Sequence, residues 1–249
     1  MIRIKWAAGM LAVCSMAVSV PVMAQDAASD WSVTGNAGLY SDYRFRGISQ
    51  TNKDPAFQGG FDIAHSSGFY LGNWNSNIDS GFFAGSNLEM DFYGGFKGAA
   101  GTLGYDVGVL TYYYPGSDPK IDNTEVYLGL SYGPVSAKYF YAVTDFFGFD
   151  DSDGSAYLDL GFNYDLGSGF GVNAHVGYQS LRGDAKVVEI GSTGTEDSVT
   201  DYRLGATYTT TGGFVFGLAY IGTNRDLAGS RPNRNISDGT GVVSLSKAF

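Results

Sequence analysis

Apolar and polar residues alternate with a period of two along most of the chain. In 88–97, Leu88, Met90, Phe92, Gly94 and Phe96 alternate with Glu89, Asp91, Tyr93, Gly95 and Lys97. In 124–132, Thr124, Val126, Leu128, Leu130 and Tyr132 alternate with Glu125, Tyr127, Gly129 and Ser131, and 156–165 and 170–179 follow the same rule. One face of each segment is apolar or aromatic; the other is small, polar or charged. That alternation is the mark of a β-strand whose two faces meet different surroundings. It predicts twelve strands, near 31–41, 56–66, 69–78, 87–97, 103–114, 123–132, 135–144, 155–165, 169–179, 199–209, 213–223 and 240–249.

The links between these strands fall into two classes. Those after the even-numbered strands are short: Ser66-Ser67-Gly68, Gly98 to Thr102, Gly133-Pro134, Leu166-Gly167-Ser168 and Thr210 to Gly212. Most of those after the odd-numbered strands are long and polar, notably 42–55, 145–154, 180–198 and 224–239, and Val187, Val188 and Ile190 within the third are strand-like. A sandwich has no reason to sort its loops; a barrel standing in lipid does. The aromatic residues agree. Trp31, Tyr70, Tyr132, Tyr164, Phe170, Tyr208, Phe214 and Phe249 sit beside the short links or at the chain ends, and Phe57, Trp74, Tyr113, Tyr141, Tyr178 and Tyr202 sit toward the long ones. Two belts of amphipathic rings are what two headgroup layers select. The expectation is an all-β, closed, antiparallel transmembrane barrel of about twelve strands, with both termini periplasmic.

Composition narrows the reading. Glycine contributes 37 of 249 residues, charged residues 16% and aromatic residues 15%, with a mean hydropathy of −0.07. The hydropathy excludes a bundle of membrane helices, the aromatics argue against disorder, and a net charge of −10 argues against a nucleic-acid partner, which needs a basic face. Residues 1–24 read as a signal peptide: Arg3 and Lys5, an apolar centre from Trp6 to Val20, then Val22-Met23-Ala24 before a cleavage at Gln25. Residues 25–249 then form one barrel domain without cysteine, since Cys14 leaves with the signal. At the other end Val243, Leu245, Lys247 and Phe249 share a face, and the terminal Phe249 is similar to the sorting signal that the barrel-assembly machinery reads, with Lys247 departing from the pattern.

Ser41-Asp42-Tyr43-Arg44-Phe45-Arg46-Gly47-Ile48-Ser49-Gln50-Thr51, Gly68-Phe69-Tyr70-Leu71-Gly72-Asn73-Trp74 and Glu89-Met90-Asp91-Phe92-Tyr93-Gly94-Gly95 resemble the TorF-type porins of proteobacteria. The resemblance extends over essentially the whole chain after the signal and implies an outer-membrane barrel, in contact with lipid and lipopolysaccharide, with a role in transport. It carries no substrate, so the solute has to be argued from the lumen.

Following the alternation, Asp62, Glu89, Asp91, Asp106, Glu125, Asp159 and Asp201 point inward, with Lys138 and Arg203 as their basic counterparts. Seven acids against two bases make either a cation-favouring lumen or a set of ion pairs that fills the barrel without conducting. In the first long loop, Asp42, Arg44 and Arg46 are expected over the outer mouth, there either to orient a dipolar solute or to fix the loop by a salt bridge. Asp145, Asp150, Asp151 and Asp153 offer oxygen ligands for a divalent cation, but Gly161 stands where a calcium loop begun at Asp150 needs its final Glu, and a solvated acidic loop is the plainer reading. Arg225, Arg231 and Arg234 either meet lipopolysaccharide phosphates or are ordinary surface charge. The two histidines, His65 and His175, have no nucleophile elbow to serve, and no nucleotide, redox or cofactor motif is present. The function expected is passive diffusion of small hydrophilic solutes, cations or zwitterions preferred; the alternatives are a non-conducting structural or adhesive barrel and, behind it, a lipid hydrolase.

Overall fold

The computed structural model describes residues 29–249; the signal peptide expected over 1–24, with its cleavage before Gln25, lies outside them. The strands, in chain order, are β1 (Trp31–Tyr40), β2 (Arg44–Phe45), β3 (Ile48–Ser49), β4 (Ala56–His65), β5 (Phe69–Asn77), β6 (Leu88–Ala100), β7 (Leu103–Tyr113), β8 (Asn123–Tyr132), β9 (Val135–Ala142), β10 (Ala156–Gly167), β11 (Phe170–Ser180), β12 (Val187–Val188), β13 (Thr195–Glu196), β14 (Ser198–Thr209), β15 (Phe214–Thr223) and β16 (Thr240–Ala248). Twelve of them close into a barrel in the order β1-β16-β15-β14-β11-β10-β9-β8-β7-β6-β5-β4, with every pair antiparallel. These are the twelve expected strands, within a few residues at each end. The largest difference is β6, which runs to Ala100 and reduces its turn to Gly101-Thr102. The remaining four make two small hairpins inside long loops: β12–β13 within 180–198, where the strand-like valines stand, and β2–β3 within 42–55.

Closure follows from the register of the first and last strands. Asn36 lies opposite Ala248 and Tyr40 opposite Ser244; the Phe249 amide donates to the Gly35 carbonyl at 2.9 Å and the Gly35 amide to the Phe249 carbonyl at 2.7 Å. No barrel edge is left open along this seam, as a lipid environment requires. Both described chain ends lie at the short-turn end of the barrel.

The phase of the alternation is as expected. Leu128, Leu160 and Leu204 point outward and are 54%, 50% and 67% exposed, while Glu125, Tyr127, Tyr157 and Asp201 on the same strands are buried inside. Dozens of exposed large apolar side chains would make a water-soluble protein aggregate; on a barrel they are the lipid-facing surface. Lys247 is among the outward residues, and its ammonium sits 4.7 Å from the centre of the Phe214 ring, so its stem lies along the apolar face with the charge at the rim. Two rings assigned to the belts do not belong there. Tyr70 shares its strand face with Gly72 and is buried in the lumen, and Trp74 packs inward, 5.3 Å from the Tyr43 ring.

Replacing Leu128 with Arg is expected to cost about 2–4 kcal/mol of barrel stability, the price of a charge near the bilayer midplane. The inward-facing Asn163, exposed in the lumen, should accept Arg with the folded, heat-modifiable gel form intact. Equal loss of that form in both variants would mean that the assigned faces are reversed.

Candidate functional site

The two halves of the lumen differ. Toward the short turns the inward residues are small or polar, and Ser131, Ser136, Asn163 and Asp165 are exposed there to an open vestibule. A band of polar contacts bounds it. The Tyr70 hydroxyl meets Asp106 at 2.6 Å and the Tyr127 hydroxyl, and Lys138 bonds Asp106 at 3.2 Å while lying 3.7 Å from the centre of the Tyr127 ring. Asp62 accepts from Tyr93 at 2.7 Å.

Toward the long loops the lumen is filled. The loop 41–55 does not lie over the mouth but folds into the barrel, so the expected position of Asp42, Arg44 and Arg46 is corrected. The β2–β3 hairpin turns at Arg46 and Gly47, which have φ of 46° and 79°. Two successive positive values define the tight hairpin turn that matches strand twist, normally built from Asn-Gly. At Gly47 an added Cβ would lie 2.5 Å from Thr223 Cγ2 and 2.7 Å from both Asp201 Cβ and the Gly222 carbonyl. Glycine is therefore what lets the tip rest against β14 and β15. The base of the hairpin is held by side chains. Arg44 pairs with Asp42 at 2.5 Å and donates to the carbonyls of Gly47, Ile236 and Asp238 at 3.0–3.2 Å. The Ser49 amide donates to the Ile236 carbonyl, and that of Gln50 to the Tyr43 carbonyl, each at 2.8 Å.

Arg46 crosses the barrel. It reaches β8 to β11, on the far side from the strands that carry the loop. Its Nη2 bonds Glu125 at 2.7 Å and its Nη1 bonds Gln179. Tyr157, Phe45, Phe140 and Phe146 surround the guanidinium, with ring centres 4.2, 4.7, 5.5 and 5.9 Å away. Phe147, from the adjacent 3-10 turn Phe146–Gly148, packs on Phe45, Tyr112 and Tyr114. Beneath the hairpin lies a cavity of about 30 Å³, bordered by Arg44, Arg46, Gln58, His175, Asp201 and Arg203, room for little more than water.

The other expected lumen residues are inward as well, and most are paired. His175 lies between Asp159 at 3.0 Å and Asp201 at 2.5 Å, so carboxylates take up both ring nitrogens. The Asp201 carboxylate also accepts from the Tyr157 hydroxyl, and Arg203 donates to Asn173 at 3.0 Å. Glu89 takes the Tyr114 hydroxyl at 3.2 Å, yet Glu89 Oε2 and Asp91 Oδ1 are buried without a hydrogen-bond partner among the described residues. The lumen holds more bases than the two expected. Lys97 faces inward over Tyr70 at 5.3 Å, as its place in the alternation signals, and Arg44 and Arg46 join it through the folded loop.

Outside the lumen, two of the three loop arginines are used between loops. Arg225 bonds Glu189 and Glu196, each at 2.7 Å, and the bond to Glu189 holds its guanidinium above the ordinary pKa. Arg231 reaches Asp54 at 2.5 Å. In the acidic loop Asp145 accepts from the Ser152 amide, and no group of three or more His, Cys, Asp or Glu among the described residues is arranged to hold a metal ion.

A closed twelve-stranded barrel with an apolar outer face and a charged, loop-filled lumen has the porin type of fold. The chain belongs to the Gcw_chp family, described as a bacterial protein of unknown function, whose profile matches residues 24–249. Among solved structures it is similar to the NanC porin, with a TM-score of 0.58 at 11% identity, covering 88% of this chain and 99% of that one. It is similar as well to the KdgM porin in complex with disordered oligogalacturonate, with a TM-score of 0.54 at 8% identity, over 88% and 99% of the two chains. At these identities the likeness is one of fold. No curated protein matches the chain.

Gly47→Val should push the hairpin tip off the wall while leaving the barrel closed. A left-handed φ on an L residue alone costs about 1–2 kcal/mol, so hydrogen exchange at the Ser49 amide is expected to quicken by about tenfold or more. Unchanged exchange would show that the tip does not depend on that contact.

Proposed function

We propose that the protein is a TorF-type porin of the bacterial outer membrane. It is exported by a signal peptide removed before Gln25, folded by the barrel-assembly machinery from the signal at Phe249, and set in lipid and lipopolysaccharide with both termini and the short turns on the periplasmic side. Its activity is passive diffusion of small hydrophilic solutes, with cations or zwitterions preferred. The observation that carries the reading is the division of the lumen: a polar vestibule open at the short-turn end, closed on the other side by one folded loop rather than by a separate domain.

Charge supports the preference. Arg44, Arg46 and Lys138 each face a carboxylate at 2.5–3.2 Å, so their positive charge is locally spent, whereas Glu89 and Asp91 lack a base. A carboxylate that is ionised and has no base beside it shifts ion occupancy several-fold at reduced dielectric. Oligogalacturonate, the ligand in the KdgM structure, is a polyanion, and this lumen is poorly suited to one. A second reading, a non-conducting structural or adhesive barrel, is favoured by the small residual cavity.

Single-channel recording in planar bilayers separates the two. The channel reading requires discrete conductance with a cation-selective reversal potential in a salt gradient. Neutralising Glu89→Gln and Asp91→Asn together should move that potential toward anions. Arg44→Ala, which frees the hairpin base, should raise conductance with little change in its sign. A folded barrel that never conducts would establish the structural reading instead.

A further inference from the structure

The surroundings of Arg46 are more specific than a latch for a loop needs to be. Any salt bridge would fix the hairpin, and Arg44 already ties its base to the last long loop through the carbonyls of Ile236 and Asp238. Arg46 instead occupies a receptacle whose parts come mostly from elsewhere: Glu125 from β8, Phe140 from β9, Tyr157 from β10, Gln179 from β11 and Phe146 from the turn after β9. Two acceptors take two different nitrogens of the guanidinium, Gln179 at Nη1 and Glu125 at Nη2. A planar fork satisfies both, whereas an ammonium is a single point charge. Aromatic rings around a desolvated cation add attraction that a metal ion, with its tightly held water, does not exploit in the same way. The tip is also placed at a conformational cost, since Arg46 has φ of 46°, a region that non-glycine residues seldom enter.

The geometry points to a binding site for small guanidinium or amidinium cations at Glu125, Phe140, Phe146, Tyr157 and Gln179, with Arg46 as its tethered occupant. A solute carrying that group competes with Arg46 for the same acceptors and rings, and the hairpin leaves the lumen when the solute wins. This rests on the reading of the barrel as a channel only for its consequence, passage; the binding itself can be measured without it. It gives the cation or zwitterion preference a defined chemical class, and it makes the closed lumen a state that the permeating solute itself displaces.

Two measurements on the purified, full-length barrel in detergent micelles test it, with ethylguanidinium chloride as the probe. In Arg46→Ala the receptacle is vacated and Glu125 has lost its counter-charge. Calorimetric titration should show saturable binding with a dissociation constant in the millimolar range or below. Binding should weaken about tenfold on adding Tyr157→Leu, the size of one cation–π contact in a desolvated site, and vanish on adding Glu125→Gln. Should Arg46→Ala fail to give the heat-modifiable folded form, Arg46→Lys keeps a charge on the tip and should bind the probe more weakly but still saturably.

In the wild-type protein the same probe should speed hydrogen exchange at the Ser49 amide, which anchors the hairpin to the Ile236 carbonyl. Propylammonium, of equal charge and similar size, should do so far less. No binding to the folded variants, or equal binding of propylammonium, overturns the assignment. Binding to the variant without loosening of the wild-type hairpin overturns it too, because the receptacle is then only a seat for Arg46. A barrel that binds the probe but carries no current leaves this site standing and removes the channel reading; one that conducts without binding does the reverse.

Discussion

The ion pair between Arg46 and Glu125 decides the state of the lumen. The two side chains are 8% and 0% exposed and 2.7 Å apart, and Arg46 reaches β8 from a loop carried by the opposite side of the barrel. A buried pair of this kind contributes modestly when intact, but breaking it by removing one partner costs about 3–5 kcal/mol, because a charge is left without compensation. Around it are arranged the other features of the filled half: Phe45 and Phe147 pack together, Gly47 lies flat on β14 and β15, and Arg44 closes the hairpin base. A carboxylate as deeply buried as Glu125 is costly without a cation beside it. A loop that supplies the cation therefore becomes part of the barrel interior.

A second constraint acts on every strand. Lipid on one side and a polar lumen on the other leave each residue one allowed chemistry, set by whether its position is odd or even. This explains how small residues and acids share a face. Where the lumen is open, glycine, serine and asparagine line it. At the boundary of the open part and where the loop fills the lumen, tyrosines do, and their hydroxyls meet carboxylates: Tyr93 with Asp62, Tyr70 with Asp106, Tyr157 with Asp201 and Tyr114 with Glu89. Tyrosine gives an acid a hydrogen bond without adding charge.

The barrel was legible in the sequence because that constraint is local. Leu128 and Gly129 differ by one position and meet different solvents, and nothing distant is needed to see it. Tyr70 and Trp74 stand inside and not in the belts, where the parity they share with Gly72 places them; nearness to a strand end is a weaker signal than parity. The inward path of loop 41–55 had no such local mark. Its turn is Arg-Gly rather than Asn-Gly, and the partner of Arg46 lies 79 residues along the chain. An ion pair across a barrel depends on which strands stand opposite, which alternation does not encode. The capture of Arg225 by Glu189 and Glu196 was hidden for the same reason.

That the hairpin 43–53 is the element closing this lumen is tested most directly by removing it. Asp42 and Asp54 can be joined by a short Gly-Ser linker, since β1 and β4 are neighbours in the barrel. The decisive quantity is single-channel conductance of the shortened barrel beside that of the intact one, at equal salt and with both in the heat-modifiable folded form. A conductance several-fold higher in the shortened barrel is the expected result. Equal conductance in the two would contradict the account.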